Sequence, residues 1–165
     1  SYSGKILGSK EYRIYFAFAK LFFGNQQHAV AIDWLNKIFN DNAKNIRPEL
    51  RSAAHIMQLL AYYEAGYNEI IAYLHNQSYR DLVKNKQLYK YEARVLKFIK
   101  QLPKLDNEEK LEKALTKLYE EMEKILEDPY ERHAIELFDV LSWLESKLKK
   151  RSFAEVVREK AGVDG

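Results

Sequence analysis

Apolar side chains recur at three- and four-residue intervals along almost the whole chain, and the breaks between these periodic segments are only about 3–8 residues long. Helical segments joined so tightly must lie antiparallel beside their neighbours. Glycine (6) and proline (3) are scarce in the 165 residues. An all-β chain needs turn chemistry every ten residues or so. The expected class is all-α, and the length is that of about one domain, which hides roughly two-thirds of its unfolded surface.

The first helix is predicted from about Ser9 to Phe23, after a flexible lead-in over residues 1–8. It ends at Gly24-Asn25, where glycine can take the left-handed cap conformation. The second carries Ala29, Ile32, Leu35, Ile38 and Phe39 on one side and breaks at Asn40-Asp41-Asn42. Pro48 sits in the first turn of the third, where its missing N–H is harmless; that helix runs to Ala65 and stops at Gly66-Tyr67-Asn68. The fourth covers about Glu69 to Val83, with Asn85 as its end. The fifth places Leu88, Tyr91, Val95, Phe98, Ile99 and Leu102 on one face and closes at Pro103. The sixth has a stripe of Leu111, Leu115, Leu118, Met122 and Ile125, with Glu109–Lys113 and Glu120–Lys124 as i,i+4 pairs. Asp128-Pro129-Tyr130-Glu131 combines a cap, a first-turn proline and an acid three residues on, and opens a seventh helix burying Ala134, Leu137, Phe138, Leu141, Leu144 and Leu148. Ser152 caps a last short helix that ends near Ala161-Gly162. These elements make one domain over 9–161, with hairpins at about 9–40, 47–84 and 88–126 and terminal helices over 129–161.

From Ala53 to Tyr63 the third helix is apolar almost all round, interrupted mainly by His55 and Gln58, so it must pack on more than one side. The middle of a layered stack and the centre of a globular bundle both do that. An internal similarity favours the stack. Ala19-Lys20-Leu21-Phe22-Phe23-Gly24-Asn25 reappears as Ala61-Tyr62-Tyr63-Glu64-Ala65-Gly66-Tyr67, 42 positions on, within the spacing of helical-hairpin repeats. These residues resemble the tetratricopeptide repeat, with Ala19, Gly24 and Ala29 matching in the first hairpin. Ala61, Tyr62, Tyr63, Gly66 and Tyr67 match in the second, where Ile70 or Ile71 replaces the seating alanine. The resemblance covers roughly residues 10–85; the third hairpin has the length but turns through Pro103 to Asn107 without glycine. It implies antiparallel hairpins stacked as a short TPR-like α-solenoid of about seven helices plus a short C-terminal one.

The final helices, with Glu145, Lys149, Lys150 and Arg151 outward, read as a terminal cap. The first helix does not: Tyr12, Ile14, Tyr15, Phe16, Phe18, Phe22 and Phe23 are too many for an exposed end, so another repeat or a second copy of the chain is expected to cover it. The start at Ser1-Tyr2-Ser3-Gly4, without Met, reads as a piece of a longer protein.

Candidate chemistry is sparse. The absence of cysteine excludes disulfides, thiolate catalysis and Cys-based zinc sites, and is compatible with a cytoplasmic location. His28, His55, His75 and His133 lie far apart, with neither an HExxH pair nor a Glu-x-x-His. Gly4-Lys5-Ile6-Leu7-Gly8-Ser9-Lys10 lacks the order of a phosphate loop, and there is no Gly-x-Ser-x-Gly elbow. The longest apolar run, Ile14 to Ala19, is far short of the ~18 residues a membrane helix needs. The expectation is a non-catalytic chain with no cofactor, metal or membrane partner.

Charge is segregated. Between Arg80 and Lys104 eight basic residues face two acids, whereas from Leu105 to Glu131 ten acids face four lysines. In a hairpin stack the odd-numbered helices line one concave surface, to which the first contributes Arg13 and Lys20. Arg51, His55, Gln58 and Tyr62 of the third helix and Lys90, Arg94 and Lys97 of the fifth are the candidate partner-binding residues. The function expected is a protein-binding scaffold or docking domain that accepts a peptide or helix, an acidic one by charge, on that face. The tetratricopeptide resemblance implies capture of acidic tails by Lys, Arg and Asn of successive first helices, but the Asn positions are not filled here. The competing reading of the lysines is a solvated surface paired with the acidic sixth helix. An alternative function is nucleic-acid binding along 80–104 with tyrosines stacking on bases, against which stands a net charge of only +3. Self-association through the apolar first helix is a further expectation.

Overall fold

The computed structural model describes residues 2–40, 46–84 and 89–162, with the side chains of 2–9 and 134 excepted, and all regular structure within them is helical. Helices α1 (Tyr2–Gly24) and α2 (His28–Asn40) form the first hairpin, and α3 (Pro48–Glu64) and α4 (Asn68–Lys84) the second. The third pairs α5 (Lys90–Gln101) with α6 (Glu108–Ile125) through a 3₁₀ turn at Leu102–Lys104. Helices α7 (Pro129–Ala134), α8 (Val140–Lys149) and α9 (Phe153–Lys160) follow. Helix α1 thus takes in residues 2–8, expected as a lead-in. The Asp41–Asn42 break, Asn85, Leu88 and the Ala134 side chain lie outside the described residues.

Local chemistry sets most of the boundaries. Pro48 occupies the first turn of α3, Asn107 accepts the Lys110 amide at 2.8 Å, and Ser152 accepts the Glu155 amide at 3.1 Å. The expected seventh helix is two helices. Asp128 caps α7 through the Tyr130 amide (3.0 Å). Asp139 then restarts the chain, accepting the Ser142 amide at 3.1 Å and the Ser142 hydroxyl at 2.6 Å. The apolar pattern runs unbroken through this point, with Phe138, Trp143 and Leu144 all buried, so periodicity alone hid the cap. On α6, Lys113 pairs with Glu109 at 3.1 Å, while Glu120 and Lys124 do not pair among the described residues.

The two hairpin turns repeat in a register that the sequence match does not give. Gln26 and Gly66 both take positive φ (64° and 87°). The amides of Gln27 and Tyr67 both reach five residues back, to Phe22 and Tyr62, at 2.9 Å. The next helices begin at His28 and Asn68. The pairs 26/66, 27/67 and 28/68 define a shift of 40, not 42. Ala31 and Ile71 consequently seat the second helices, both with no exposed surface, whereas Ala29 faces solvent. Gly24 is not the left-handed residue. A Cβ there would lie 3.4 Å from that of Ala154 of α9, an ordinary van der Waals contact.

Helix α3 is the hub. Residues 52–60 are all buried, and α3 packs against α1, α2, α4 and α5. The last helices do not extend the row of hairpins. Helix α7 meets α5, α8 lies on α6, and α9 returns to α1. Phe23 of α1 makes edge contacts with Phe138 (5.4 Å) and Phe153 (5.6 Å), each worth about 0.5–1.5 kcal/mol beyond area burial. The Trp143 indole donates to Glu64 at the end of α3 at 3.0 Å, and Lys147 pairs with the same carboxylate at 2.9 Å. Glu145 of α8 accepts from Tyr119 of α6 (2.8 Å) and Lys160 of α9 (3.0 Å).

Candidate interaction surfaces

The structure does not bring the seven expected partner-binding residues onto one surface. Arg51, His55, Gln58 and Tyr62 do share a stripe of α3, but it faces the seam between α2 and α4. Arg51 donates to Asp81 of α4 at 3.1 Å, and His55 Nε2 lies 2.7 Å from the same carboxylate. The His55 ring also stacks on Phe39 at 4.5 Å, and Gln58 donates to Asn36 of α2 at 3.1 Å. Tyr62 packs edge-on to Tyr67 in the following turn. The Phe39 and Asn36 contacts tie the first hairpin to the second, whereas those to Asp81 and Tyr67 lie within the second. The His55 hydrogen bond and then Arg51 draw the Asp81 carboxyl down to about 2, against the opposing effect of burial. Of the basic stripe, Arg94 is paired with Glu121 of α6, and Lys90 and Lys97 are exposed. Of the three, Arg94 alone makes an ion pair with the acidic sixth helix among the described residues.

Two buried carboxylates meet at the start of α5. Glu131, expected to cap its own helix, instead reaches across to α5 and accepts the amides of Lys90 (3.1 Å) and Tyr91 (3.2 Å). Glu92 has no exposed surface and accepts the Tyr89 amide at 3.4 Å. Burial pushes Glu92 up to about 7, with Glu131 adding to the rise; the nearby Ser52 hydroxyl and the Tyr89 amide oppose it. Tyr91, almost wholly buried, is raised well above the usual phenol range by burial first and by Glu92 second. Both carboxylates accept backbone amides, while the second oxygen of Glu92 is buried without a hydrogen-bond partner among the described residues.

The outer face of α1 is different. Ile14, Phe18 and Leu21 are 51%, 40% and 56% exposed and stand at i, i+4, i+7, while Tyr12, Phe16, Ala19 and Phe23 fill the core from the opposite face. Phe18 stacks on Trp34 of α2 at 4.8 Å, Tyr15 lies 5.9 Å from the same ring, and Lys37 sits 4.8 Å above it. Lys10, Arg13, Lys20 and Lys37 flank the stripe, against the acids Glu11 and Asp33. Helix α4 also shows apolar surface, at Ile70, Tyr73, Tyr79 and Val83. Its two tyrosines carry hydroxyls suited to water, and Gln77 donates to that of Tyr73 at 2.8 Å. The α1 stripe has no such handle.

The returning C-terminal helices leave two cavities at the odd-numbered helices. One, of about 410 Å³, opens at the starts of α3 and α5 and is lined by Arg13, Arg47, Leu50, Tyr89 and Tyr130 among others. The second, of about 240 Å³, lies at the ends of α1 and α3, between His28, Glu64, Trp143 and Lys147. Burial, chiefly, lowers the His28 pKa, with Glu64 opposing and Lys147 reinforcing the shift. Among the described residues no group of three or more acids and histidines could hold a metal ion, and no helix is long and apolar enough to cross a membrane. No protein-family model, curated protein or solved structure matches the chain.

Proposed function

We propose that this chain is a non-catalytic docking module of tetratricopeptide-like hairpins that takes an acidic-edged amphipathic helix of a protein partner along the outer face of α1. The observation that carries the reading is the exposed Ile14–Phe18–Leu21 stripe on a helix whose other face is already core. Apolar anchors at i, i+4 and i+7 are what a partner helix reads when it lies along a groove. Contiguous apolar surface without polar atoms marks interaction sites on soluble proteins. Four cations against two acids beside the stripe favour an acidic partner. The shared turn geometry at a 40-residue shift supports the repeat reading.

A labelled helical peptide with leucines at the same spacing and glutamates along both edges tests this by fluorescence anisotropy. Saturable binding should fall at least tenfold in Leu21→Glu, since burying an unpaired charge loses more than the ~1.4 kcal/mol that this factor represents. Lys97→Glu should bind as the unaltered chain does. Absence of binding, or a stronger loss in Lys97→Glu, would overturn the reading. A stable dimer in light scattering that Leu21→Glu dissociates would identify the occupant as a second copy instead.

A further inference from the structure

The polar cavity at the ends of α1 and α3 serves no purpose in helix docking, yet several independent features converge on it. Three cations, Lys147, Lys150 and Arg151, line it against a single carboxylate, Glu64. That carboxylate is already occupied by the Trp143 indole and Lys147. Arg151 pairs outward with Glu155 and Glu159 of α9, whereas Lys150 makes no ion pair among the described residues. Gln26 and Lys150 also line the cavity, and both hold positive φ (64° and 55°). They are the only non-glycine residues to do so among the described residues. Both positions end a helix, Gln26 in the turn after α1 and Lys150 as the C-cap of α8. The α1–α2 and α8–α9 turns thus bring two long polar residues to one opening. At about 240 Å³ the space is below the usual range for drug-sized ligands.

We infer that this cavity binds a compact phosphoryl dianion, either free phosphate or a small phosphate monoester, held by Lys150 with Lys147 and Arg151 at its edge. A phosphoryl group carries close to two negative charges and three strong acceptor oxygens, which suits a lining with an excess of cations. A carboxylate brings one charge and two acceptor oxygens to the same donors, one fewer of each.

The two tryptophans make the test internal to the full chain. Trp143 lines the cavity and Trp34 lies on the outer α1–α2 face. Their indole N–H signals are followed while inorganic phosphate, O-phosphoserine or acetate is added at constant ionic strength. Saturable movement of the Trp143 signal with phosphate, with Trp34 still, is the expected result. Movement with phosphoserine as well extends the site to monoesters, and movement with phosphate alone limits it to the free ion. Lys150→Asn should weaken the effect about tenfold. Asparagine tolerates the left-handed conformation, so an unchanged melting temperature separates loss of the site from loss of the fold. Lys149→Asn, one residue away and exposed, should bind as before. Acetate acting as strongly as phosphate, no saturable shift, or full binding by Lys150→Asn would each overturn the assignment.

Discussion

At the scale of single residues, buried carboxylates decide how the protein responds to pH. Glu92 is raised to about 7. In the window from about 4.5 to 7 the folded state therefore binds more protons than the unfolded state. Its contribution to stability is fully present below about 4.5 and is lost as pH rises through 7. Glu92→Gln keeps an acceptor for the Tyr89 amide and removes the buried charge. Urea denaturation should show the variant more stable than the parent at pH 8, by on the order of 2 kcal/mol, with little difference at pH 4. Asp81 has the opposite sign. Its folded pKa of about 2 gives stability that is present above about 3.8 and lost as pH falls toward 2. Asp81→Asn should cost about 1–2 kcal/mol at neutral pH and make the acid limb of the stability curve shallower. The sequence shows that these acids exist but not which are buried. Glu92 looks like any acid on a basic helix, and the partner that enforces its burial is 40 or so residues away in α3 and α7.

At the scale of elements, helix ends were legible where a cap and its amide are close in sequence, as at Asp128 and Ser152. Asp139 carried the same signal, an acid three residues before Ser142, but the continuous apolar stripe around it argued for one long helix. Asp139→Ala should cost about 1 kcal/mol, and amide exchange should quicken in the first turn of α8 rather than in α7. Glu131 could not have been read at all, because the amides it serves belong to α5. Removing it as Glu131→Ala leaves two buried amides without acceptors. A loss of about 2–4 kcal/mol is expected, with exchange quickening at Lys90 and Tyr91. The hairpin register was half legible. The glycine that the sequence match aligns with Gly66 is Gly24, yet the residue in the equivalent conformation is Gln26. Backbone geometry repeats there while side-chain identity does not. Gly66→Ala should accordingly destabilise by about 1 kcal/mol, since its φ of 87° is strained for any residue with a Cβ.

At the scale of the whole molecule, the all-helical class, the hairpin pairing and the apolar hub of α3 followed from period and loop length. The return of α7–α9 did not, because it depends on contacts such as Phe23 with Phe138 and Phe153, whose partners lie more than a hundred residues apart. The expected groove residues are drawn into contacts between neighbouring helices instead. The α2–α4 seam takes up His55 and Gln58, and α6 engages Arg94. The excess apolar surface of α1, by contrast, was visible from the sequence and persists as exposed Ile14, Phe18 and Leu21. This outer face of α1 is the working surface proposed for the chain. Hydrogen–deuterium exchange on the full chain, with and without a saturating acidic-edged amphipathic peptide, addresses it directly. Protection should be confined to α1 and to the part of α2 around Trp34; protection centred on α3 and α5, with α1 unchanged, would contradict it.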